Sequence, residues 1–373
     1  MIKYLSKVSK SALSGTALLR LDFNSKDNWR LKTALPTVKL LLKHASKIVI
    51  LSHRGRPTFV KTSVDKPRGV DKKFSLARDA NKLREYLGRR VNFIPDFNFG
   101  NIAKKIKSAP PKSVFVLENL RFLSGEEKND VKLAKKLASL GDYYVNEAFA
   151  VCHRANASVA AITKFLPSYA GLGLEKEIEF LSRVMKKPRH PLVLVLGGAK
   201  AADKLGVLEY FRNKTGWFLL GGAAANTILY LKGFNVKKSA MDKNKSDLKQ
   251  LRAVISYKNL VLPADFKWNK DMILDIGPRS IKEFIDKISS AKTIIWSGPM
   301  GLFEKKGYER GTYAVARAIA GNRRAFTLAG GGETVMFLKS HRLDKKFSFI
   351  STGGGAMLEF LAGKKLSGIK ALE

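Results

Sequence analysis

The sequence predicts an α/β protein with two doubly wound parallel sheets. Short apolar segments alternate with helical patterns along the whole chain, which is typical of β-α units with right-handed crossovers. The apolar segments are continuous rather than alternating, as in parallel strands covered on both faces. Eleven such segments are too many for one open sheet, and 373 residues suffice for two domains of roughly 150 residues each. We therefore expect two Rossmann-like domains and a connecting helix.

The strand predictions rest on runs rich in Val, Ile, Leu and Phe. The predicted strands are Ala17–Leu21, Lys47–Leu51, Val91–Ile94, Val114–Leu117, Tyr143–Val145, Leu192–Leu196, Trp217–Leu220, Asn259–Leu262, Thr293–Trp296, Ala325–Leu328 and Phe347–Ile350. Apolar residues three and four apart predict helices at Leu76–Leu87, Val131–Leu140 and Ile281–Ile288. A further helix is predicted at Leu174–Met185, between Pro167 and Pro188, and we expect it to connect the two domains.

Composition and charge limit the function. Apolar residues make up 45% and charged residues 27% of the chain, so a disordered or fibrous protein is excluded. The single cysteine, Cys152, excludes a disulfide scaffold, and no segment is long and apolar enough to span a bilayer. We expect a soluble, cytoplasmic protein. The 69 basic and 31 acidic residues give a net charge of +38, which predicts non-specific attraction of polyanions.

The residues that follow the predicted strands differ between the two halves. In the first half they include basic residues, as at His53, Arg54, Arg121 and Arg154. In the second half they are mostly glycines, as in Gly330-Gly331-Gly332. Arginines bind carboxylate or phosphate, and glycines let backbone N–H groups approach phosphate. Because ligands of open α/β sheets bind beyond the carboxyl ends of strands, one domain is expected to bind a small anion and the other a nucleotide.

Each of these signals has a structural alternative. Glycines at strand ends also allow close helix packing, and loop arginines are ordinarily solvated. Lys200 and Lys204, four residues apart, would share a solvated helix face or clamp phosphate beside Gly197-Gly198. Neither G-x-x-x-x-G-K-[ST] nor G-x-G-x-x-G occurs in the sequence, so the usual phosphate-binding and dinucleotide-binding signatures are absent.

Ten segments, in order along the chain, together resemble the phosphoglycerate kinase family. They are Leu18–Asn24, Ala34–Thr37, Ser52–Pro57, Glu118–Phe122, Tyr144–Phe149, His153–Ala155, Gly197–Lys204, Trp296–Glu304, Gly330–Thr334 and Ser351–Ala356. The resemblance implies a glycolytic phosphotransferase with a carboxyl acceptor. It would transfer phosphoryl groups reversibly between ATP/ADP and 3-phosphoglycerate/1,3-bisphosphoglycerate with Mg²⁺, by domain closure and in-line transfer. A monomer with small-molecule substrates is expected.

The resemblance also implies a domain organisation. An N-terminal substrate domain would span 1–168, a hinge helix 169–189, and a nucleotide-binding domain 190–355. The segment 356–373 would pack back toward the N-terminal domain.

The residues implied by the resemblance fall into three groups. The catalytic group is Arg30, Lys200 and Lys204. The substrate group is Asp22, Phe23, Asn24, Arg30, His53, Arg54, Gly55, Arg56, Arg121 and Arg154. The nucleotide group is Lys200, Lys204, Gly222, Glu304, Gly331, Gly332, Glu333 and Thr334, with Glu333 on the metal.

The chain departs from the family pattern at several positions. Glu333 replaces an Asp, Ser297 an Asn, Ala223 a Gly and Glu147 an Asp. Two alternatives to the kinase therefore stay open. One is a catalytically weakened relative that acts as a basic nucleic-acid-associated protein, and the other is a kinase for a different acyl substrate.

Overall fold

The chain folds into two compact α/β units. The computed structural model describes residues 1–25, 27–55 and 72–373. One unit comprises Met1–Ile178 and Lys365–Glu373, and we call it the first unit. The second unit comprises Glu179–Lys364. No helix in these described residues is long and apolar enough to cross a membrane.

The strands of the described residues form three sheets. They are β1 (Thr16–Arg20), β2 (Lys47–Leu51), β3 (Asn92–Ile94), β4 (Val114–Leu117), β5 (Tyr143–Asn146), β6 (Ser168–Ala170), β7 (Leu192–Leu196), β8 (Trp217–Leu220), β9 (Leu260–Val261), β10 (Phe266–Asn269), β11 (Met272–Ile276), β12 (Thr293–Ser297), β13 (Phe326–Gly330) and β14 (Phe349–Ile350). All eleven predicted strands are present within a residue or two of their predicted bounds. Strand β6 and the β10–β11 hairpin were not predicted.

The helices fill the connections between the strands. They are α1 (Trp29–His44), α2 (Ala77–Leu87), α3 (Phe99–Ser108), α4 (Ser124–Glu127), α5 (Val131–Ala138), α6 (Leu172–Lys186), α7 (Leu205–Phe211), α8 (Gly222–Leu231), α9 (Lys245–Leu251), α10 (Pro278–Ser290), α11 (Arg310–Gly321), α12 (Gly332–Ser340), α13 (Gly355–Leu361) and α14 (Ser367–Lys370). Helix α5 shows how the sequence sets these boundaries. The Asp130 side chain accepts a hydrogen bond from the Leu133 N–H at 2.7 Å and so caps the first turn.

Each unit has one six-stranded parallel sheet, and the predicted fold class is confirmed. The strand order in the first unit is β3-β4-β2-β1-β5-β6, and in the second unit it is β14-β13-β12-β7-β8-β9. In the first unit, the chain reverses its direction across the sheet between β1 and β5. In the second unit the reversal lies between β7 and β12. Doubly wound sheets bind ligands beyond the carboxyl ends of the strands at such reversals.

The C-terminal residues belong to the first unit. The Gly368 N–H donates to the Cys152 carbonyl at 2.8 Å, and a side chain at Gly368 would lie 3.0 Å from the Cys152 Cα. The N-terminal ammonium of Met1 donates to the Glu373 carbonyl at 3.1 Å. Both chain termini are therefore fixed on the same unit.

Glu147 is a half-buried acid at the start of α6. Its Oε1 accepts a hydrogen bond from the Gly173 N–H at 2.8 Å, and its Oε2 is shielded from solvent. Burial raises the pKa of Glu147 to about 8, although Thr37 and the N–H groups of α6 favour the charged form. The Glu177 carboxylate raises the pKa further. The folded protein therefore holds a proton on Glu147 at pH values where the unfolded chain has lost it.

This proton makes stability depend on pH. As pH rises from the ordinary glutamate value of 4.5 toward 8, the unfolded chain binds fewer protons than the folded one, so folding loses stability. We expect Glu147→Gln to remove this loss, because its amide is neutral at every pH. In thermal unfolding, the Tm of Glu147→Gln should exceed the Tm of the wild type, and this difference should be larger at about pH 8 than at about pH 5. Exposed Glu85→Gln is the control, and equal Tm differences at both pH values for Glu147→Gln would contradict the assignment.

Candidate active site

Asp22 is the centre of a charged cluster at the carboxyl edge of the first unit's sheet. It follows β1, and its Oδ2 accepts a hydrogen bond from Arg30 Nη1 at 2.8 Å. The His53 Nδ1, after β2, lies 4.0 Å from its Oδ1. Burial alone would raise the pKa of Asp22, but Arg30, the Asn24 N–H and Arg20 together hold this pKa below its usual value. Asp22 is therefore ionised and fixes Arg30.

His53 is a neutral imidazole. Burial lowers its pKa well below the usual value, and Arg20, Arg121 and Arg154 lower it further against the attraction of Asp22. The His53 Nδ1 lies 3.1 Å from Arg20 Nη2. Because a guanidinium only donates, Nδ1 is the acceptor and Nε2 carries the proton. His53 thus offers an N–H donor in a cluster of cations.

Hydrogen bonds and an ion pair hold the loop that follows β2 in place. Arg54 binds both oxygens of the buried Asp79 and donates to the Phe23 carbonyl at 2.7 Å. The Gly55 N–H donates to Asn24 Oδ1 at 2.9 Å, and the Gly55 carbonyl accepts from Arg121. The charge of Arg54 is therefore balanced by Asp79, and this side chain shapes the loop.

The remaining arginines of the cluster come from later loops. Arg121, which follows β4, is buried, with its Nε 3.4 Å from Glu127 Oε1. The half-buried Arg154 donates from its Nε to His153 Nε2 at 3.1 Å. The structure thus brings Asp22, Arg30, Arg121 and Arg154 together around His53. Arg56 lies outside the described residues.

Arg20 belongs to the same cluster, although it is not among the site residues that the resemblance implies. It is 1% exposed at the end of β1, and its Nε donates to Ser158 Oγ at 2.9 Å. The buried Glu126 carboxylate lies 3.8 Å from Arg20 Nη2. An arginine inside an apolar strand is the signal that could have identified it, because a buried charge needs such partners.

The second unit has two adjoining cavities at the carboxyl edge of its sheet. One cavity, of about 400 Å³, is the more polar of the two and is lined by Gly197, Lys200, Lys204, Ser297, Gly298, Gly331, Gly332 and Thr334, among others. The other, of about 360 Å³, is mainly apolar and is lined by Gly222, Ala223, Phe266, Met300 and Leu302, among others, with Glu304. Gly198, Ala199 and Glu333 line both cavities. We call them the polar cavity and the apolar cavity.

Glycines are required where backbone segments meet in the polar cavity. Gly298 has φ of 92°, and a Cβ there would lie 2.2 Å from the Gly197 carbonyl oxygen. Gly331 has φ of 99° and precedes the first residue of α12. Side chains are disfavoured at both φ values. The free N–H groups at the start of α12 therefore border an open cavity, which is a suitable site for an anion.

Lys204 is a buried cation of the polar cavity. It is 7% exposed, and its Nζ donates to the Lys200 carbonyl at 2.7 Å. Burial lowers the pKa of Lys204, while Asp203, Asp242 and Glu333 raise it. Glu333 Oε2 would lie 3.7 Å from a Cβ on Gly198, so this carboxylate faces the glycine floor of both cavities.

Asp275 is a further residue of this site that sequence reasoning missed. It lines the apolar cavity, and its Oδ2 accepts a hydrogen bond from the Gly311 N–H at 2.7 Å. Burial raises the pKa of Asp275 to about 6. Thr312 Oγ1 in turn accepts from the Met300 N–H at 3.0 Å, and the Met300 carbonyl accepts from the Gly222 N–H at 2.8 Å. These contacts hold the wall of the apolar cavity in place.

A bound metal would need ligands beyond the protein. Among the described residues, no group of three or more His, Cys, Asp or Glu side chains could hold a metal ion. Mg²⁺ is commonly bound by one or two carboxylates together with substrate phosphates and water. Glu333, which lines the polar cavity beside Gly198, fits this mode.

The fold and the two sites fit a phosphotransferase, and comparisons with known proteins identify its family as one that uses a carboxyl group as acceptor. The phosphoglycerate kinase family model matches residues 11–364. The phosphoglycerate kinase of Thermosipho africanus is 41% identical over 388 residues, covering 95% of this chain and 94% of that protein. That of Dictyoglomus turgidum is 38% identical over 385 residues, with 95% of both chains covered. The chain belongs to the phosphoglycerate kinase family.

Solved structures agree with this assignment. The phosphoglycerate kinase structure from Pyrococcus horikoshii matches with a TM-score of 0.85 at 31% identity, covering 100% of this chain and 98% of that one. The structure from Coxiella burnetii matches with a TM-score of 0.81 at 32% identity, covering 100% and 99%.

Thr334 provides a test of how the polar cavity is held in shape. It is fully buried, and its Oγ1 accepts a hydrogen bond from the Gly298 N–H at 2.8 Å. Thr334→Val keeps the shape but leaves this N–H without its partner, which costs about 1–3 kcal/mol of unfolding free energy. We expect a higher KM for ADP and an unchanged KM for the phosphoglycerate substrate. Thr334→Ser, which keeps the hydroxyl, should restore the ADP KM; equal values for the Val variant and the wild type would refute the role.

Proposed function

We propose that this chain catalyses Mg²⁺-dependent, reversible phosphoryl transfer between ATP/ADP and 3-phosphoglycerate/1,3-bisphosphoglycerate. The observation that carries the proposal is the pair of different anion sites. The first unit offers buried arginines around Asp22, and the second offers glycines and helix N-termini beside an apolar cavity. The proposal includes a monomeric enzyme in the cytoplasm.

The cluster around Asp22 would bind the glycerate substrate. Arg30, Arg121 and Arg154 supply positive charge for its phosphate and carboxylate. Guanidinium groups form bidentate hydrogen bonds with either of these anions. His53 would donate from Nε2. The predicted substrate residues Phe23, Asn24, Arg54 and Gly55 shape the loops that position these donors, and Arg56 is retained from the family motif.

The two cavities of the second unit would bind the nucleotide. The apolar cavity suits the flat base, and the carboxylate of Glu304 at its wall suits the hydroxyls of a ribose. Lys200, Lys204 and the N–H groups after Gly331 would bind the phosphates. Glu333 would reach Mg²⁺, which neutralises phosphate charge when bound.

Positioning and charge stabilisation would account for the catalysis. The acceptor carboxylate is already ionised and needs no general base. The protein therefore has to position it in line with the phosphorus rather than remove a proton from it. Arg30, Lys200 and Lys204 would stabilise the negative charge of the transferring group. Domain closure and in-line transfer, as the family resemblance implies, belong to this proposal.

A coupled spectrophotometric assay tests the proposed activity. Purified protein with ATP, Mg²⁺ and 3-phosphoglycerate should form 1,3-bisphosphoglycerate, detected by NADH oxidation through added glyceraldehyde-3-phosphate dehydrogenase. Omission of 3-phosphoglycerate is the control. A folded protein that gives no turnover at low salt would contradict the proposal and favour the weakened relative.

Glu333 should determine the metal dependence. Glu has one methylene more than Asp and therefore more side-chain entropy to lose when it is fixed near Mg²⁺. We expect Glu333→Asp to stay active with an equal or lower Mg²⁺ requirement, and Glu333→Ala to raise both the apparent Mg²⁺ requirement and the nucleotide KM. Exposed Glu209→Ala in the same unit is the control. If Glu333→Ala changes neither the Mg²⁺ titration nor the nucleotide titration and only lowers Tm, the carboxylate merely stabilises the N-terminus of α12.

A further inference from the structure

Six basic residues lie at the amino edge of the first unit's sheet, at the strand ends opposite Asp22. They come from the ends of α1 and α3 and from the starts of β2, β3 and β4, which are neighbours in the order β3-β4-β2. We call Lys43, Lys47, Arg89, Arg90, Lys107 and Lys112 the amino-edge cluster. Strands of four or five residues separate this edge from the Asp22 cluster by roughly 15 Å.

Hydrogen bonds tie the members of this cluster to one another's backbone. Lys47 Nζ donates to the Lys107 carbonyl at 3.0 Å, and Lys112 Nζ donates to the Lys43 carbonyl at 3.0 Å. Arg89 Nη2 donates to the Lys112 carbonyl at 2.7 Å. These contacts use one or two N–H groups of Lys47, Arg89 and Lys112 and leave others for a ligand. Three of the six cations are thus held in place, and the side chains of the other three are exposed.

Lys112 occupies a backbone conformation that few lysines adopt. Its φ is 64°, in the left-handed region that favours glycine. Its ammonium also donates to the Ala45 carbonyl at 2.9 Å, immediately after α1. A cation at a helix C-terminus offsets only about half a unit of negative charge. The surface therefore keeps most of its positive charge.

Little negative charge opposes this surface. The carboxylates of the described chain at this edge are Glu85 in α2 and Asp142 before β5, and Asp142 already accepts the Thr16 N–H at 2.6 Å. Asp142 is thus partly occupied by the backbone. The cluster of six cations keeps a surplus that attracts phosphates.

The side chains around the cluster indicate which class of polyanion fits it. The exposed large apolar residues of the described chain do not lie on the helix ends and strand starts that form the cluster. Phe165 is at the same edge, but it precedes β6 at the far end of the sheet. Single-stranded nucleic acids need aromatic side chains for base stacking, and insertion into a membrane surface needs an apolar face. A duplex presents its phosphates outward and needs only cations. The composition of this surface therefore favours a duplex.

We propose that the amino-edge cluster binds the phosphate backbone of double-stranded nucleic acid independently of base sequence. The surface lies at the opposite edge of the sheet from the substrate cluster, so the duplex and 3-phosphoglycerate bind without competing. This binding is separate from the kinase reaction and does not depend on it.

Fluorescence anisotropy with a labelled DNA duplex of about 20 base pairs tests the proposal. The test variant Lys43→Gln/Arg90→Gln/Lys107→Gln changes three exposed cations of the cluster, and the control variant Lys245→Gln/Lys249→Gln/Lys345→Gln removes the same charge from the second unit. We expect the test variant to lose at least tenfold in affinity at about 100 mM salt, and the control variant less than threefold. The slope of log K against log salt should become shallower in the test variant, by about 0.9 for each phosphate that the protein no longer neutralises. Wild-type kinase turnover in both variants confirms that they are folded.

Three outcomes would overturn the proposal. Equal losses in both triple variants would mean that net charge alone, and not this surface, attracts the duplex. Displacement of the duplex by saturating 3-phosphoglycerate would place it on the arginines around Asp22. Binding to anionic lipid vesicles through the same cluster, with no binding to the duplex, would identify a membrane surface as the partner.

Discussion

All of the chemistry in this protein depends on one constraint, the parallel alignment of the strands in each sheet. Parallel strands place every carboxyl end at one edge, and the helices that follow begin at that same edge. Asp22, His53 and Arg121 follow three different strands yet lie within one cluster, because β1, β2 and β4 are neighbours. Residues distant in sequence thereby form a single site without long loops.

The two units use this edge in opposite ways. In the first unit side chains dominate, and the acids Asp22, Asp79 and Glu126 balance arginines that would otherwise be buried without partners. In the second unit the backbone dominates, and glycines such as Gly298 and Gly331 bring N–H groups to the surface of a cavity. Substrate discrimination would follow from this difference, since guanidinium groups suit a compact anion and a glycine-rich floor suits a polyphosphate.

The sequence predicted the secondary-structure elements better than the side-chain contacts between them. The eleven predicted apolar strands were all found, whereas β6 was missed because Ser168-Tyr169-Ala170 contains no apolar run. The hairpin was missed because β10 alternates over only four residues and Asp275 interrupts the apolar residues of β11. The roles of Arg54 and Thr334 as internal supports became visible only through Asp79 and Gly298, which are far away in sequence. Asp275 carried no sequence signal at all, because its function depends on the distant Gly311.

Titration calorimetry can measure whether each unit binds its own substrate. Arg30→Met should weaken binding of 3-phosphoglycerate at least tenfold and leave the Kd of ADP unchanged, since charge-assisted hydrogen bonds are worth about 1.5–3 kcal/mol each. Lys200→Met should do the reverse. Retained binding of the other substrate in each variant shows that the protein is folded. Two results would contradict this assignment. One is an Arg30 variant that loses ADP but still binds 3-phosphoglycerate, and the other is a Lys200 variant that loses 3-phosphoglycerate but still binds ADP.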